Sequence, residues 1–331
     1  MSTMQKMGKR ALREVGKRIG HKTRLEREAR AFVNRRRFKN DGFMILTDAC
    51  VIDGSREHRT GIYAYGGCDL DAIVPAGREL RRQVAGLTSV VHVGDIAIGR
   101  SDFILQGLES PPAAEHIAEV SELLNLDDDH FAARLFEPNF TVPNHGDLGE
   151  FAKNVVVLSI APDMVRTMYR HREHGYLLDP GGFWLGSDMA TVLGDLDKVK
   201  WFAANFKKLG RIKVEDALAN FERIISLLRT RVGAEVLVAN ALVVDPGITT
   251  FDYRLSHSPH TSRRREFVLG LIDLSRKLDF PVLDIDSLTK RDGVSGMGDF
   301  VHYTADQRLT IGRHVAETLV RTGMVPTRTH A

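Results

Sequence analysis

Cysteine is scarce in this sequence: Cys50 and Cys68 are the only two among 331 residues. Two cysteines are too few for a disulfide scaffold or for a zinc site built from cysteine ligands, and such scarcity is typical of a reducing cytoplasm. No apolar run approaches the roughly 20 residues that a membrane-spanning helix needs. The N-terminus also lacks the apolar segment of a secretory signal. The sequence therefore predicts a cytoplasmic protein.

The composition is that of a soluble globular protein, with 43% hydrophobic and 27% charged residues. A chain of this length can bury a large core, in one domain with additions or in two domains. The formal net charge of +3 conceals an asymmetry. Residues 1–40 hold 14 of the 46 Lys and Arg residues and three of the 43 Asp and Glu residues, a net charge of +11, which leaves −8 for the rest of the chain.

Residues 1–42 are predicted to form a basic helical arm, because helix breakers are few between residues 5 and 37 and apolar residues recur at helical spacing. A basic amphipathic helix either lies on an anionic membrane surface or packs as a solvated helix on its own protein. Phe32 and Phe38 are the only aromatic residues within the arm, so stacking on bases has little support. Nucleic acid is therefore the less favoured partner, and a peripheral membrane location is the more favoured one.

Short apolar strands alternate with helical segments in the rest of the chain. After a first strand at 43–50, the strands are predicted at 61–65, 89–93, 154–160, 235–239 and 281–285. Five strands separated by helices predict an α/β domain with a five-stranded parallel sheet and helices on both faces. Residues 166–210 are predicted to be an insertion. In such folds ligands bind beyond the carboxyl ends of the strands, where Cys68, Gly94 and Asn240 are expected.

The segment Gly66-Gly67-Cys68 is the most specific candidate for a catalytic site. A turn of small residues from a strand into a helix places its third residue at the helix N-terminus, where the helix dipole lowers a thiol pKa. The backbone N–H groups of such a turn also bind an oxyanion. Two alternatives remain open: a buried structural cysteine, and a turn that holds a phosphate. The two glycines do not form a dinucleotide-binding fingerprint.

Near the C-terminus, Asp299-x-x-His302 places a carboxylate and an imidazole three positions apart, before a predicted last helix. If the segment is a turn that enters this helix, the carboxylate can orient the ring and the ring can take a proton from a nucleophile. The alternative is a pair of solvated polar residues.

Two pairs of histidines and one basic loop are weaker candidates. His171 and His174 form one pair and His257 and His260 the other, but neither has a third ligand at convincing spacing, so we expect no metal site. The loop at 257–265 contains three consecutive arginines. Either it meets a phosphate or carboxylate of the substrate, or it is a solvated start of a helix.

Taken together, these motifs resemble the SGNH (GDSL-type) hydrolase superfamily over roughly residues 60–322, with insertions near 105–150 and 166–210. The resemblance implies a flavodoxin-like three-layer fold that acts on esters and acyl groups, here as an SGNH-like domain at 43–331. It also implies Cys68 as the nucleophile and Gly94 as an oxyanion donor, with Gly99 as the alternative donor. Asp299 and His302 match the Asp and His of the superfamily's last block.

The sequence departs from the superfamily pattern at two positions. Cys68 stands where the superfamily usually has serine, which resembles the cysteine-bearing (Gly-x-Cys) branch that includes capsular-polysaccharide acyltransferase-like proteins. The third block, usually Gly-x-Asn-Asp, reads Ala161-Pro162-Asp163, so the Asn that donates to the oxyanion is missing. Loss of one such donor typically costs on the order of 100- to 1000-fold in rate. Asn240 is a candidate replacement.

These expectations define an acyltransferase or an ester or thioester hydrolase with a Cys68–His302–Asp299 arrangement. The expected oxyanion or substrate contacts are Gly67, Gly94, Asp163 and Asn240. No bound cofactor is expected, the acyl donor is expected to be acyl-CoA or an acyl-carrier thioester, and the acceptor a glycan or another alcohol. A thioester intermediate is suited to transfer to an alcohol. The alternative function is a catalytically silent SGNH-like module that binds a glycan or nucleotide-sugar, and a third is a nucleic-acid-associated protein that uses the arm.

Overall fold

The computed structural model describes residues 45–53, 56–67, 69–70, 73–84, 87–93, 97–124, 153–179, 193–241, 261–292 and 303–325. The predicted arm at 1–42 and four of the predicted site residues lie outside these ranges. These four residues are Cys68, Gly94, Asp299 and His302.

Ten strands lie within the described residues and form two sheets. They are β1 (Ile45–Asp53), β2 (Arg56–Gly66), β3 (Leu87–Val93), β4 (Ala97–Ile98), β5 (Lys153–Ser159), β6 (Met168–His171), β7 (Leu177–Leu178), β8 (Phe206–Leu209), β9 (Ala234–Ala239) and β10 (Val282–Leu283). The larger sheet has the order β10-β9-β5-β2-β1-β3, and β4 also pairs with β2. The smaller sheet has the order β7-β6-β8.

The larger sheet is mixed and not wholly parallel. Strands β2, β5, β9 and β10 pair in parallel and confirm that part of the prediction. The expected fifth parallel strand, at 89–93, instead forms β3, which pairs antiparallel with β1. The reason is the hairpin between β1 and β2: only two residues separate Asp53 from Arg56, and so short a connection pairs two strands antiparallel. Strand β1 therefore occupies most of the edge of β2 that a parallel neighbour would need, and β4 pairs in parallel only with Tyr65 and Gly66.

Nine helices lie within the described ranges. They are α1 (Ile73–Gln83), α2 (Ser101–Glu109), α3 (Ala114–Leu124), α4 (Ala161–Val165), α5 (Leu196–Asn205), α6 (Val214–Leu227), α7 (Thr261–Leu278), α8 (Ile285–Asp292) and α9 (Ala305–Arg321). A π-helical turn, Leu228–Val232, continues α6 and ends at Gly233, whose φ of 62° favours glycine.

Helices cover both faces of the larger sheet, as an α/β fold requires. Alternate residues of β5 point to opposite faces: Val155 and Val157 belong to a cluster with α1, α8 and α9. Val156 and Leu158 belong to a second cluster with α2, α4, α6 and α7. All four valine and leucine side chains are fully buried, which explains why β5 reads as a nearly continuous apolar run.

The predicted insertion at 166–210 forms the smaller sheet together with α5. Its own apolar cluster contains side chains of α3, including Val120, and of the insertion, including Phe202 and Phe206. Helix α3 therefore packs on the insertion. No described helix has both the length and the apolar character that are needed to cross a bilayer.

A buried arginine fastens the insertion to the rest of the fold. Arg100, which is 2% exposed, donates from Nη1 to the backbone oxygens of Arg166 (3.2 Å) and Gly210 (2.9 Å). These two residues stand at the two ends of the insertion. The same guanidinium forms a bidentate salt bridge with the Asp102 carboxylate, at 2.8 and 2.7 Å, which balances the positive charge of the arginine.

Candidate active site

The carboxyl ends of β2, β5, β9 and β10 lie at one edge of the larger sheet, because these strands run in parallel. The residues that follow these ends are Gly67, Ile160, Asn240 and Asp284. In α/β folds this edge is where ligands bind, so these residues define the candidate active site.

The turn that follows β2 requires its glycines because other atoms approach the backbone closely. A Cβ on Gly66 would lie 2.6 Å from the Cβ of Ser159, and one on Gly67 would lie 2.7 Å from a carboxylate oxygen of Asp69. The Gly67 oxygen accepts a hydrogen bond from the N–H of Leu70 at 3.0 Å, which closes the turn around position 68. The need for glycine thus follows from packing at Gly66, whereas a Cβ on Gly67 would require the Asp69 carboxylate to shift.

A buried hydrogen bond joins the turn after β2 to the end of β5. The Ser159 hydroxyl donates to the Asp69 carboxylate at 2.5 Å and accepts from the N–H of Ala161 at 3.0 Å. Both side chains are almost completely buried. Sequence alone does not indicate this pair, because a serine at the end of an apolar strand and an aspartate two residues after a glycine carry no signal that they meet.

Asp163, a predicted substrate contact, is completely buried and bonds within the protein. Its two carboxylate oxygens each accept from the N–H of Ser101 at 3.1 Å, and the Ser101 hydroxyl also donates to the carboxylate. Burial raises the pKa of Asp163 to about 7, although the hydrogen bonds from Ser101 act in the opposite direction. Since Ser101 is the first residue of α2, the carboxylate ties α4 to the start of α2.

Asn240, the candidate oxyanion donor, is 2% exposed and also bonds within the protein. Its Nδ2 donates to Asp284 at 2.7 Å, and its Oδ1 accepts from the N–H of Asp286 at 3.0 Å. Asp284 also accepts from the hydroxyl of Ser287 at 2.6 Å. Burial raises the pKa of Asp284, but the hydrogen bonds from Ser287 and Asn240 outweigh it, and the pKa is lowered overall. Asn240 therefore holds the start of α8 against the end of β9.

The segments that flank Cys68 and His302 meet in one buried cluster. Leu70, two residues after the cysteine, and Tyr303, next to the histidine, both belong to it. The helices that follow, α1 and α9, pack against each other. The predicted last helix is confirmed as α9, and the structure shows that Thr304 caps it, because the Thr304 hydroxyl accepts from the N–H of Gln307.

The basic loop at 257–265 is described from residue 261 onward, where it forms the first turn of α7. Arg263 donates to the backbone oxygens of Asp163 (3.1 Å) and Ile212. Arg264 is 6% exposed, and burial, together with the charge of Arg211, lowers its pKa. These two arginines are packed into the protein, unlike the solvated helix start that was the alternative expectation.

The histidine pair His171 and His174 is described, whereas His257 and His260 lie outside the described residues. The rings of His171 and His174 stack at a centroid distance of 4.7 Å, so their faces and not their nitrogen atoms meet. Within the described ranges no group of three His, Cys, Asp or Glu residues is arranged to hold a metal ion.

Neither a protein-family model nor a curated protein matches the sequence. Among solved structures, the chain is similar to a lipase/acylhydrolase from Enterococcus faecalis, at 11% identity over 79% of this chain and 94% of that chain, with a TM-score of 0.41. It is also similar to an aryl esterase of M. smegmatis at 14% identity over 86% of this chain and 94% of that chain, with TM-scores of 0.38 for the inhibitor-bound form and 0.36 for the native form. At TM-scores this low, the similarities carry no argument about the function of this chain.

Proposed function

We propose that the protein is an acyl-transfer enzyme whose nucleophile is Cys68, with His302 as its base and Asp299 orienting the imidazole. The observation that carries the proposal is the convergence of the flanking segments: Leu70 and Tyr303 share one buried cluster, and α1 packs against α9. A strand–turn–helix unit directs its turn toward the carboxyl edge of the sheet, where ligands of such folds bind. This convergence supports a cysteine and a histidine that act on the same substrate.

In the proposed reaction the sulfur of Cys68 bonds to the acyl carbonyl carbon while its proton passes to His302. The backbone N–H groups of Cys68 and Gly94 stabilise the resulting oxyanion. The bond to the leaving thiol or alcohol then breaks, and His302 returns the proton to that group. In the second half of the reaction, an acceptor hydroxyl attacks the carbonyl carbon of the thioester and gives its proton to His302. The bond to the Cys68 sulfur then breaks, the acyl group stays on the acceptor, and His302 returns the proton to the thiolate.

The oxyanion site of this proposal depends on backbone donors. Asp163 accepts from Ser101, and Asn240 donates to Asp284 and accepts from Asp286, so both side chains bond within the protein and the proposal assigns the oxyanion to backbone N–H groups. The rate should accordingly be lower than that of an enzyme with a third donor, by on the order of 100-fold or more.

The substrates follow from the nucleophile and from the resemblance to capsular-polysaccharide acyltransferase-like proteins. A thioester intermediate favours transfer to an alcohol over hydrolysis. We therefore propose an acyl-CoA or acyl-carrier thioester as the donor and a glycan or other alcohol as the acceptor. The basic arm at 1–40 would bring the enzyme to an anionic membrane surface.

The experiment that tests the proposal is intact-protein mass spectrometry after incubation with acetyl-CoA or a chromogenic acetyl ester. We expect one acetyl group on Cys68, released by an added alcohol or by water. The Cys68→Ala variant should form no adduct and should lose at least about 1,000-fold in turnover, while Cys50→Ala serves as the matched control and should keep both. An adduct of equal yield on Cys50, or turnover retained in Cys68→Ala, contradicts the proposal.

The second candidate function is a catalytically silent module that binds a glycan or nucleotide-sugar. It is favoured by the missing Asn of the third block, and by the bonds that Asp163 and Asn240 form within the protein. Binding of an acidic glycan or a nucleotide-sugar, together with no acetyl adduct on Cys68 and no difference between Cys68→Ala and the unmodified protein, would favour this function.

A further inference from the structure

Four aromatic rings form a compact stack between α3 and the turn that joins β6 to β7. The members of this ring stack are His116, His171, His174 and Tyr176. The centroid distances are 4.1 Å for His116–His174, 4.7 Å for His171–His174, 4.9 Å for His171–Tyr176 and 5.4 Å for His116–Tyr176. All four of these pairs are within 24° of parallel.

The hydrogen bonds of His171 determine where its proton can be. Its Nδ1 accepts from the backbone N–H of Glu173 at 3.3 Å and from that of His174 at 3.1 Å. A ring that accepts at Nδ1 is neutral and carries its proton on Nε2. Protonation of Nδ1 would break both bonds and would loosen the turn after β6. The side chain is 4% exposed, so a charge on it would also lack solvation.

The charged groups around His171 come from two elements. Helix α3 contributes His116 and Glu119, and the turn contributes Glu173 and His174. Burial lowers the pKa of His171, and the two other histidines lower it further, while the two glutamates raise it. Tyr176 and Phe206 of β8 also pack against the ring and carry no charge near neutral pH, since burial raises the pKa of Tyr176 to about 12. Arg172 of the same turn directs its guanidinium away, to the backbone oxygen of Ala203.

We propose that the ring stack is a pH-sensitive clamp, which docks α3 on the smaller sheet when the imidazoles are neutral and releases it when they become charged. The ring centroids of His116 and His174 are 4.1 Å apart, so positive charges on both rings would repel each other. The apolar contacts of α3 with the insertion, through Ile117 and Val120, oppose this repulsion. Since burial and the neighbouring histidines lower the pKa of His171 below its ordinary value of 6.5, release requires a pH below that value.

The release is local because other bonds hold the insertion. The side chain of Gln106, on α2, donates to the Leu177 oxygen at 3.1 Å and accepts from the Leu177 N–H at 2.6 Å. Arg100 also donates hydrogen bonds to backbone oxygens at both ends of the insertion. Helix α3 is therefore the part that moves. This inference is independent of the proposed acyl transfer.

Hydrogen exchange of the α3 amides, measured on the full chain and corrected for intrinsic rates, tests the clamp. When the pH is lowered from about 7.5 to about 5.5, we expect the protection factors of the α3 amides to fall at least about tenfold, while those of the β5 amides do not change. The variant His116→Phe retains a stacked ring that cannot be charged, so its α3 should remain protected at both pH values. His314→Gln, which removes a histidine from α9, is the matched control and should behave as the unmodified protein does.

Trp201, which lies in the apolar cluster of the insertion, gives a second readout in a Trp184→Phe background. Its fluorescence should change over the same pH interval, and His116→Phe should abolish the change. The clamp is overturned if α3 protection is the same at both pH values, or if His116→Phe shows the same loss as the unmodified protein. A change in protection that spreads to β5 as well would indicate global acid unfolding and would equally contradict a local clamp.

Discussion

The carboxylate of Asp69 and the hydroxyl of Ser159 lie 2.5 Å apart and join the turn after β2 to the end of β5. Both belong to the edge of the sheet where the candidate nucleophile is expected, and both are almost completely buried. In a buried site the loss of one partner leaves the other without the hydrogen bond that replaced its hydration. This pair should therefore affect both the stability of the fold and the position of the turn.

Replacing Ser159 by alanine should destabilise the protein by roughly 1–3 kcal/mol, because it removes a donor to Asp69 and an acceptor for the N–H of Ala161. Chemical denaturation measures this change. The control is Ser226→Ala, since Ser226 is exposed on α6, and its effect should stay within about 0.5 kcal/mol. Equal midpoints for the two variants would show that the Asp69–Ser159 bond contributes nothing.

Alanine at Gly66 should destabilise the fold by roughly 1–3 kcal/mol, because the added Cβ would lie 2.6 Å from the Cβ of Ser159 and the backbone must shift. Gly210→Ala is a matched control, since nothing lies within 4 Å of a Cβ there. Thermal or urea unfolding of both variants measures the difference. A Gly66→Ala protein as stable as Gly210→Ala would contradict this prediction, because it would show that the turn accommodates the added Cβ with no loss of unfolding free energy.

The buried carboxyl of Asp163 should make stability depend on pH. Its pKa is about 7 in the folded protein and 3.8 ordinarily, so the folded state binds the proton more tightly than the unfolded state does. The stabilisation from this group is complete below about pH 3.8 and is lost as the pH rises toward 7, at about 1.4 kcal/mol per pH unit. The asparagine of Asp163→Asn cannot ionise, so the variant lacks this loss of stability with rising pH.

The measurement is the difference in unfolding free energy between Asp163→Asn and the unmodified protein, taken at several pH values from about 5 to 8. The variant should gain relative to the unmodified protein as the pH rises, and the gain should level off above the pKa of about 7. A difference that stays constant over the whole range would show that the carboxyl is ionised throughout.

Removing the side chain of Arg100 should destabilise the protein by roughly 2–4 kcal/mol, because Arg166, Gly210 and Asp102 lose hydrogen bonds together. The insertion should also become more susceptible to limited proteolysis, since its two ends are released. The control Arg276→Ala removes an exposed ion pair with Asp273 and should change stability by less than about 0.5 kcal/mol. Unchanged proteolysis of the insertion in Arg100→Ala would contradict the anchoring role.

Much of the architecture could be predicted from local patterns. The apolar run at 154–160 indicated a strand, and Val155–Leu158 lie fully buried in β5. Apolar residues at helical spacing also mark α6, whose buried residues Ala217, Phe221, Ile224 and Ile225 lie on one face. These features depend on the period of apolar residues along the chain, which is visible without any knowledge of distant contacts.

The pairing of β1 with β3 could not be predicted from the period of apolar residues. The strand at 89–93 has the same apolar character as the other predicted strands. Its place in the sheet depends on the short connection between Asp53 and Arg56, because the resulting hairpin places β1 on the edge of β2, and β3 then pairs with β1. Strand propensity carries no information on which edge a strand joins.

The sequence by itself determined the alternation of strands and helices, the glycine-rich turn after β2 and the cap of the last helix, because each of these depends on neighbouring residues. Tertiary structure alone decided that Asp163 binds Ser101, that Asn240 binds Asp284, and that Asp69 meets Ser159. Polar side chains at strand ends look alike in sequence whether they face a substrate or the interior. Which partner each one finds depends on segments that are 44 to 90 residues away along the chain and that come together only when the sheet forms.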